Sequence, residues 1–263
     1  MVIIFAALVV LAIHVVSAFT FDRATEYVEV EYRSDKIDDT LDGYVVAYVT
    51  DTHDIEQDEL AGVVAEIERR GADVLLLGGD HRSKKYGYDS IPVLGAANVP
   101  DGVYGVEGNH DRRKTLFAAH AENGIVTLQN SGVRVADGLY VAGTEDYWNG
   151  KPDFETAAAG AASGDFVLML THNADATMHH DTSMADLILS GHTHGGQITV
   201  FGAFAPALWK FVGVTEFGQK FMGGMTKDAS GTDVFVSKGT GNYTMVPRVF
   251  ARPQVIYITL KSA

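Results

Sequence analysis

Three observations predict an α/β layered fold, with sheets inside and helices outside. Apolar, β-branched runs recur at 44–50, 74–77, 103–106, 166–170 and 187–189. Helical segments separate several of them, at 56–70, 112–122 and 155–162. The last third then reads as strands. Alternation of this kind lays helices on the faces of a central sheet.

The elements follow in chain order. Residues 2–18 are almost wholly apolar, broken by His14 and Ser17. That length lies near the lower limit for a spanning helix, ~17–20 residues. It reads as an anchor, as a signal peptide, with small residues at Val16-Ser17-Ala18, or as a buried N-terminal element. No Lys or Arg precedes it. We place residues 1–20 in this leader and 21–263 in one catalytic domain. Residues 28–32 alternate apolar and polar, the pattern of an edge strand. Residues 44–50 and 74–77 read as buried strands. Between them, Leu60, Val63, Val64 and Ile67 share one face of a helix that stops at Gly71.

The strand at 103–106 leads to Gly108-Asn109-His110-Asp111, and 112–122 reads as a helix. Asp137-Gly138 marks a hairpin turn between 133–135 and 139–141. After the Ala-rich helix at 155–162 come strands at 166–170, 187–189, 198–200, 234–236 and 255–260. Residues 201–225 hold many aromatics and glycines without a period, and read as a long loop or short helix of the kind that forms functional lids.

Composition excludes several classes. The chain of 263 residues has 20 basic and 34 acidic residues, a net charge of −14. That balance argues against a nucleic-acid partner, which needs a positive footprint. A phosphate substrate remains compatible, because bound cations reverse the local field. With no cysteine, disulfides and thiolate-held metals are excluded.

The chemistry concentrates where strands end. Asp51 and His53, Asp80, Asn109, His172, and His192 and His194 each follow an apolar run and sit among small residues. Ligands gather beyond the carboxyl ends of strands in open α/β sheets. These seven donors are too many for one tetrahedral ion. They suit two divalent cations ~3.5–4 Å apart with one shared carboxylate, an arrangement that activates water against phosphorus. Imidazole and carboxylate suit manganese, iron, zinc or nickel. In Asp51-Thr52-His53 and His192-Thr193-His194, an extended backbone would point residues i and i+2 the same way, so that both could reach one bimetal centre. His110 is the candidate acid–base or charge-stabilising group, with Asp111 expected to orient it and raise its pKa.

These residues carry a resemblance. The ordered blocks Asp51-x-His53, Gly79-Asp80, Gly108-Asn109-His110-Asp111, His172 and Gly191-His192-x-His194 resemble the calcineurin-like metallophosphoesterases. Gly195-Gly196-Gln197, Gly239-Thr240-Gly241 and Pro247-Arg248 are similar to its membrane-associated bacterial phosphohydrolases. The resemblance implies a four-layer α/β-β/α sandwich of two mixed sheets. It implies that Asp51, His53 and His194 hold one metal with Asp80 bridging, and that Asn109, His172 and His192 hold the second. His110 is then the catalytic acid. His81 and Asp54 depart from the family pattern, at positions next to two of these donors.

The expected activity is hydrolysis of a phosphodiester, pyrophosphate or phosphomonoester bond by a metal-bridging hydroxide, on a phosphorylated small-molecule, lipid or lipid-linked substrate. The rivals are a non-catalytic metal-stabilised scaffold and a mononuclear amide or ester hydrolase. The leader places the protein at the cell membrane, with the catalytic part expected outside the cytoplasm. His120, His179 and His180 read as solvated surface residues, Lys84-Lys85 as a solvated loop and His14 as incidental.

Overall fold

The computed structural model describes residues 2–208, 213–242 and 247–263. Two six-stranded mixed sheets pack face to face, with helices on their outer surfaces. In the first sheet, β1 (Glu26–Ser34), β2 (Val45–Val49), β3 (Val74–Leu77), β4 (Val103–Gly105), β5 (Val126–Thr127) and the C-terminal β12 (Gln254–Ser262) lie in the order β1-β12-β2-β3-β4-β5. β12 is inserted parallel to β1, pairing Glu26 with Gln254, and antiparallel to β2, pairing Tyr48 with Ile256. β2 to β5 are parallel.

The second sheet has the order β10-β11-β9-β8-β7-β6. Its strands are β6 (Ser131–Ala136), β7 (Leu139–Gly143), β8 (Phe166–Leu170), β9 (Leu187–Ser190), β10 (Gly224–Lys227) and β11 (Asp233–Val236). β7, β8, β9 and β11 are parallel, and the hairpins β6–β7 and β10–β11 close the two edges.

Each strand in the middle of a sheet is apolar on both faces because both faces are covered. Val46, Tyr48, Leu76, Ile256 and Ile258 meet Val141, Leu168, Leu170 and Leu189 between the sheets. Ala47, Val49, Leu75 and Leu77 face outward onto α2 (Gln57–Arg69), α3 (Ser90–Gly95) and α4 (Arg113–Glu122), whose buried residues are Leu60, Val63, Ile67, Ile91, Leu94 and Leu116. Ala142, Val167, Met169 and Ile188 face α5 (Phe154–Ala158) through Phe154 and Ala157. Residues 2–19 form α1 (Val2–Phe19), whose described side chains are mostly exposed. Residues 4–23 are long and apolar enough to cross a membrane, by length and composition.

Two local expectations need correction, and a third is refined. Ile198 and Val200 make single bridges, to Val249 and Phe204, and no strand forms at 198–200. The helix expected over 155–162 ends at Ala158, just before Gly160. The segment 201–225 contains β10 at its end and 3-10 turns at Pro206–Leu208 and Gly218–Phe221; its Trp209 and Phe211 lie outside the described residues.

Candidate metal centre

The parallel strands bring the polar clusters to one end of the molecule. β2 stops at Val49, β3 at Leu77 and β4 at Gly105; β8 stops at Leu170 and β9 at Ser190. Asp51, Asp80, Asn109, His172 and His192 each follow one of these ends within a few residues.

The backbone there is unusual. Asp51, His53, Asp80, His192 and His194 all have positive φ, between 36° and 68°. This left-handed region costs a non-glycine residue about 1–3 kcal/mol and persists where surrounding structure enforces it. The two Thr-centred pairs are therefore not extended, contrary to the i, i+2 expectation. Each donor is turned individually. The turns are pinned by Asp51 N donating to Gly79 O at 2.9 Å, His53 N to Asp80 O at 3.2 Å and Gly241 N to Asp51 O at 2.8 Å. His192 N donates to Asp51 Oδ2 at 3.0 Å. Two glycines make room for the carboxylates. A Cβ on Gly108 would lie 2.3 Å from Asp80 Oδ1, and one on Gly191 would lie 2.2 Å from Asp51 Oδ2.

The donors fall into two groups. In Asp51, His53 and His194, one donor atom from each lies within 4.8 Å of the others; Asp80, His172 and His192 form the second such group. Asp80 Oδ2 stands between them, 3.6 Å from His53 Nε2 and 3.3 Å from His172 Nε2. His194 Nε2 is 3.3 Å from Asp51 Oδ1. Asn109 Oδ1 adds to the second group, 3.1 Å from His172 Nε2 and 2.8 Å from His192 Nδ1. Thus His192 and His194, two residues apart, serve different groups.

The outer ring nitrogens test whether cations fit. His172 Nδ1 lies 2.8 Å from Gly78 O, His192 Nε2 lies 2.9 Å from Val214 O, and His53 Nδ1 lies 3.4 Å from Arg82 O. A carbonyl at one nitrogen holds the proton there and turns the other lone pair inward, as metal-binding imidazoles require. With two carboxylates and an amide oxygen, this donor set fits two divalent cations.

At His192 and His194 the electrostatics agree. Burial, reinforced by His172, lowers the His192 pKa to about 3, and burial lowers His194 well below its usual value. Neutral imidazoles are ligand-competent. Burial raises Asp51. Burial also opposes ionisation of Asp80, but the charge and hydrogen bond of His172 win and hold its carboxyl well below the usual range. Burial would lower His172, and Asp80 overrides it and raises that imidazole.

Asp111 does not take the position expected of it. Its carboxylate accepts from the backbone N–H groups of Asp80, His81, Arg82 and Gly108 at 2.8–3.1 Å, stitching together the loops after β3 and β4. Burial lowers the pKa of His110, against the increase expected from Asp111. His110 lies at the cleft, its ring centroid 5.5 Å from that of His53. His81 is fully buried, its Nδ1 3.0 Å from Thr52 Oγ1. Asp54 accepts from Ser83 Oγ at 2.5 Å and Lys84 N at 3.0 Å, shaping that loop. His120 is fully buried, contrary to the surface reading. His14 packs on Phe201 and Phe250 at 4.7 and 5.0 Å between ring centroids, so it is not incidental.

Sequence reasoning gave no role to two residues, Trp148 and the Arg248 of the Pro247-Arg248 pair. Trp148 sets its ring edge-on to His192 at 4.5 Å and lines the cleft. Arg248 is buried and donates to the carbonyls of Gly239, Gly241 and Ala251, beside His194 Nδ1 at 3.2 Å. The cleft above the donors, about 320 Å³, is lined by Asp80, His110, Trp148, His192, His194 and Gln197 among others.

A sequence profile described as calcineurin-like phosphoesterase matches residues 44–196, which contain all seven donors and His110. The chain belongs to the calcineurin-like phosphoesterase family. It is a metal-dependent phosphoesterase by that membership. This phosphoesterase is 28% identical to an uncharacterized metallophosphoesterase of Bacillus subtilis, over 90% of its own length and 86% of the relative's. It is 26% identical to a zebrafish (Danio rerio) transmembrane protein with metallophosphoesterase domain, over 90% of its length and 57% of the relative's. Among solved structures, a dimetal phosphatase from Danio rerio shares the fold at a TM-score of 0.50 and 14% identity, covering 83% of the phosphoesterase and 99% of that chain.

Proposed function

We propose that the enzyme hydrolyses a phosphodiester, pyrophosphate or phosphomonoester bond, on a substrate carried by or linked to a membrane lipid. Asp51, His53, His194 and Asp80 would hold one cation, and Asp80, Asn109, His172 and His192 the other. A bound pair of divalent cations lowers the pKa of water toward neutrality and offsets charge on the phosphoryl oxygens. The remaining work belongs to side chains. His110 faces the cleft beside His53, close enough to neutralise a phosphoryl oxygen or protonate the leaving oxygen. Asp111 keeps the loops of Asp80 and Gly108 together. Trp148 and the rim formed by Gln197 and Val214 limit the mouth.

The observation that carries this reading is the position of Asp80 Oδ2, within 3.3–3.6 Å of one imidazole from each group. A single shared carboxylate oxygen is what a binuclear site needs. The apolar segment at 4–23 supports the membrane part, as an anchor for a catalytic domain beginning near residue 21. We place that domain outside the cytoplasm.

The test is hydrolysis of a nitrophenyl phosphodiester by the full chain with added manganese, alongside metal analysis. Two ions per chain and activity that falls by ~10²–10⁴ in His110→Ala with metal retained are expected. One ion per chain with amidase activity would establish the mononuclear hydrolase instead. Two ions with no turnover under any metal would establish a scaffold.

A further inference from the structure

The loop after the last metal-site motif is built to display apolar side chains. Residues 198–206, Ile-Thr-Val-Phe-Gly-Ala-Phe-Ala-Pro, contain no charge in a chain that is 21% charged. Val200 N donates to Phe204 O at 2.7 Å, closing a tight turn with Phe201 and Gly202 at its tip. Phe201 has φ 53° and is 51% exposed. A bulky side chain held at positive φ is an outlier, and here it is held facing solvent. Ile198, Val200 and Phe204 are exposed as well.

This tip touches the leader helix within its length, not at its end. The ring of His14 packs on Phe201 and on Phe250. His14 lies five residues before Phe19, the last residue of α1, so the contact is about 7 Å down the helix axis from its exit. Phe19 and Phe21 are exposed at that exit, and Arg23 follows them, the aromatic-then-basic order of a membrane–water boundary. An apolar element at that depth matches the ~5–10 Å embedding of interfacial segments.

We propose that the 198–204 turn is seated in the bilayer beside α1, so that the mouth of the metal-centre cleft faces the level of the lipid headgroups. The proposal rests on the reading of α1 as a membrane anchor. Gln197 lines the cleft, and Phe201 lies four positions further along the chain, a reach of at most ~14 Å. A phosphate at a lipid headgroup then meets the cleft without the lipid leaving the membrane. The occupant of this apolar patch is the bilayer itself.

The chain has no cysteine, so single introduced thiols can be spin-labelled in the full chain reconstituted into phosphatidylcholine–phosphatidylglycerol vesicles. Three sites decide the matter: Phe201→Cys at the tip, Val9→Cys on the exposed side of α1, and Val126→Cys on the opposite edge strand of the first sheet. Labels at 201 and 9 should collide with oxygen and be shielded several-fold from a nickel chelate relative to the label at 126. Val200→Cys substitutes for the tip position if Phe201→Cys fails to fold. A tip label as open to the chelate as that at 126, with the label at 9 shielded, overturns the proposal and leaves the anchor standing. Chelate access at all three sites overturns both.

Discussion

Replacing Gly108 by alanine presses directly on the shared carboxylate and on the backbone N–H of the same residue. Gly108 is not among the glycines at positive φ, so the substitution carries no backbone strain. Its new Cβ would sit 2.3 Å from Asp80 Oδ1, 2.5 Å from Asp80 N and 2.7 Å from Asp80 Cγ. Ordinary contact begins at 3.4 Å, so the gap to be made up is 3.4 − 2.3 = 1.1 Å. The carboxylate has little freedom to give way, because its Oδ1 accepts from His110 N at 2.7 Å and its Oδ2 faces His53 and His172. Misplacement by about 1 Å costs on the order of 10²-fold in rate, and overpacking a tight site costs about 1–3 kcal/mol. The assay is kcat on the nitrophenyl diester with saturating manganese, with metal content and thermal unfolding on the same sample. Gly62→Ala, an exposed helical position with nothing within 4 Å, is the control and should gain about 0.5–1 kcal/mol with activity unchanged. Wild-type kcat and two ions per chain in Gly108→Ala would refute the placement of Asp80 as the shared ligand.

Other expectations follow from the same geometry. His120 has its Nδ1 beside Thr127 Oγ1 and, among the described residues, no hydrogen-bond partner for its buried Nε2, and burial holds its pKa at about 4. The unfolded chain takes up that proton near pH 6.5, so this group's contribution is complete above pH 6.5 and is lost as pH falls toward 4, by at most about 3 kcal/mol. The difference in urea stability between parent and His120→Gln should therefore change across that window; a constant difference refutes it. Arg248→Met removes the donor serving the carbonyls of Gly239, Gly241 and Ala251. It leaves those buried carbonyls unsatisfied and should lower stability by about 1–3 kcal/mol, with Arg248→Lys recovering part of the loss in chemical denaturation. Chelation should lower the unfolding midpoint, because cations that bind only the folded site stabilise it by about 2.7 kcal/mol at one hundred times Kd. A midpoint unmoved by chelator would mean that no metal occupied the site.

The site was legible where chemistry is local and illegible where it depends on the path of the chain. Asp51, Asp80, His172 and His192 each stand just past an apolar run, where the carboxyl ends of strands gather ligands. Asp111 was misassigned because adjacency to His110 in sequence suggests contact, whereas the turn aims its carboxylate at four backbone N–H groups. His120 could have been read correctly. It lies four residues after Leu116 on α4, and those two are the buried residues of that helix, so helical spacing alone puts the imidazole on the packed face. Arg248 could not, since the carbonyls that surround it come from residues 239, 241 and 251 and from His194, 54 positions away. The helix α3 was missed because Pro92 and Gly95 break its pattern, although Ile91 and Leu94 anchor it. The same contrast separates the two ends of the Gly-His-Thr-His block. Its donors announce themselves by residue type, but their division between two groups follows from left-handed turns at His192 and His194. An extended segment would have pointed both imidazoles the same way; the turns at His192 and His194 instead direct each to a different half of the centre.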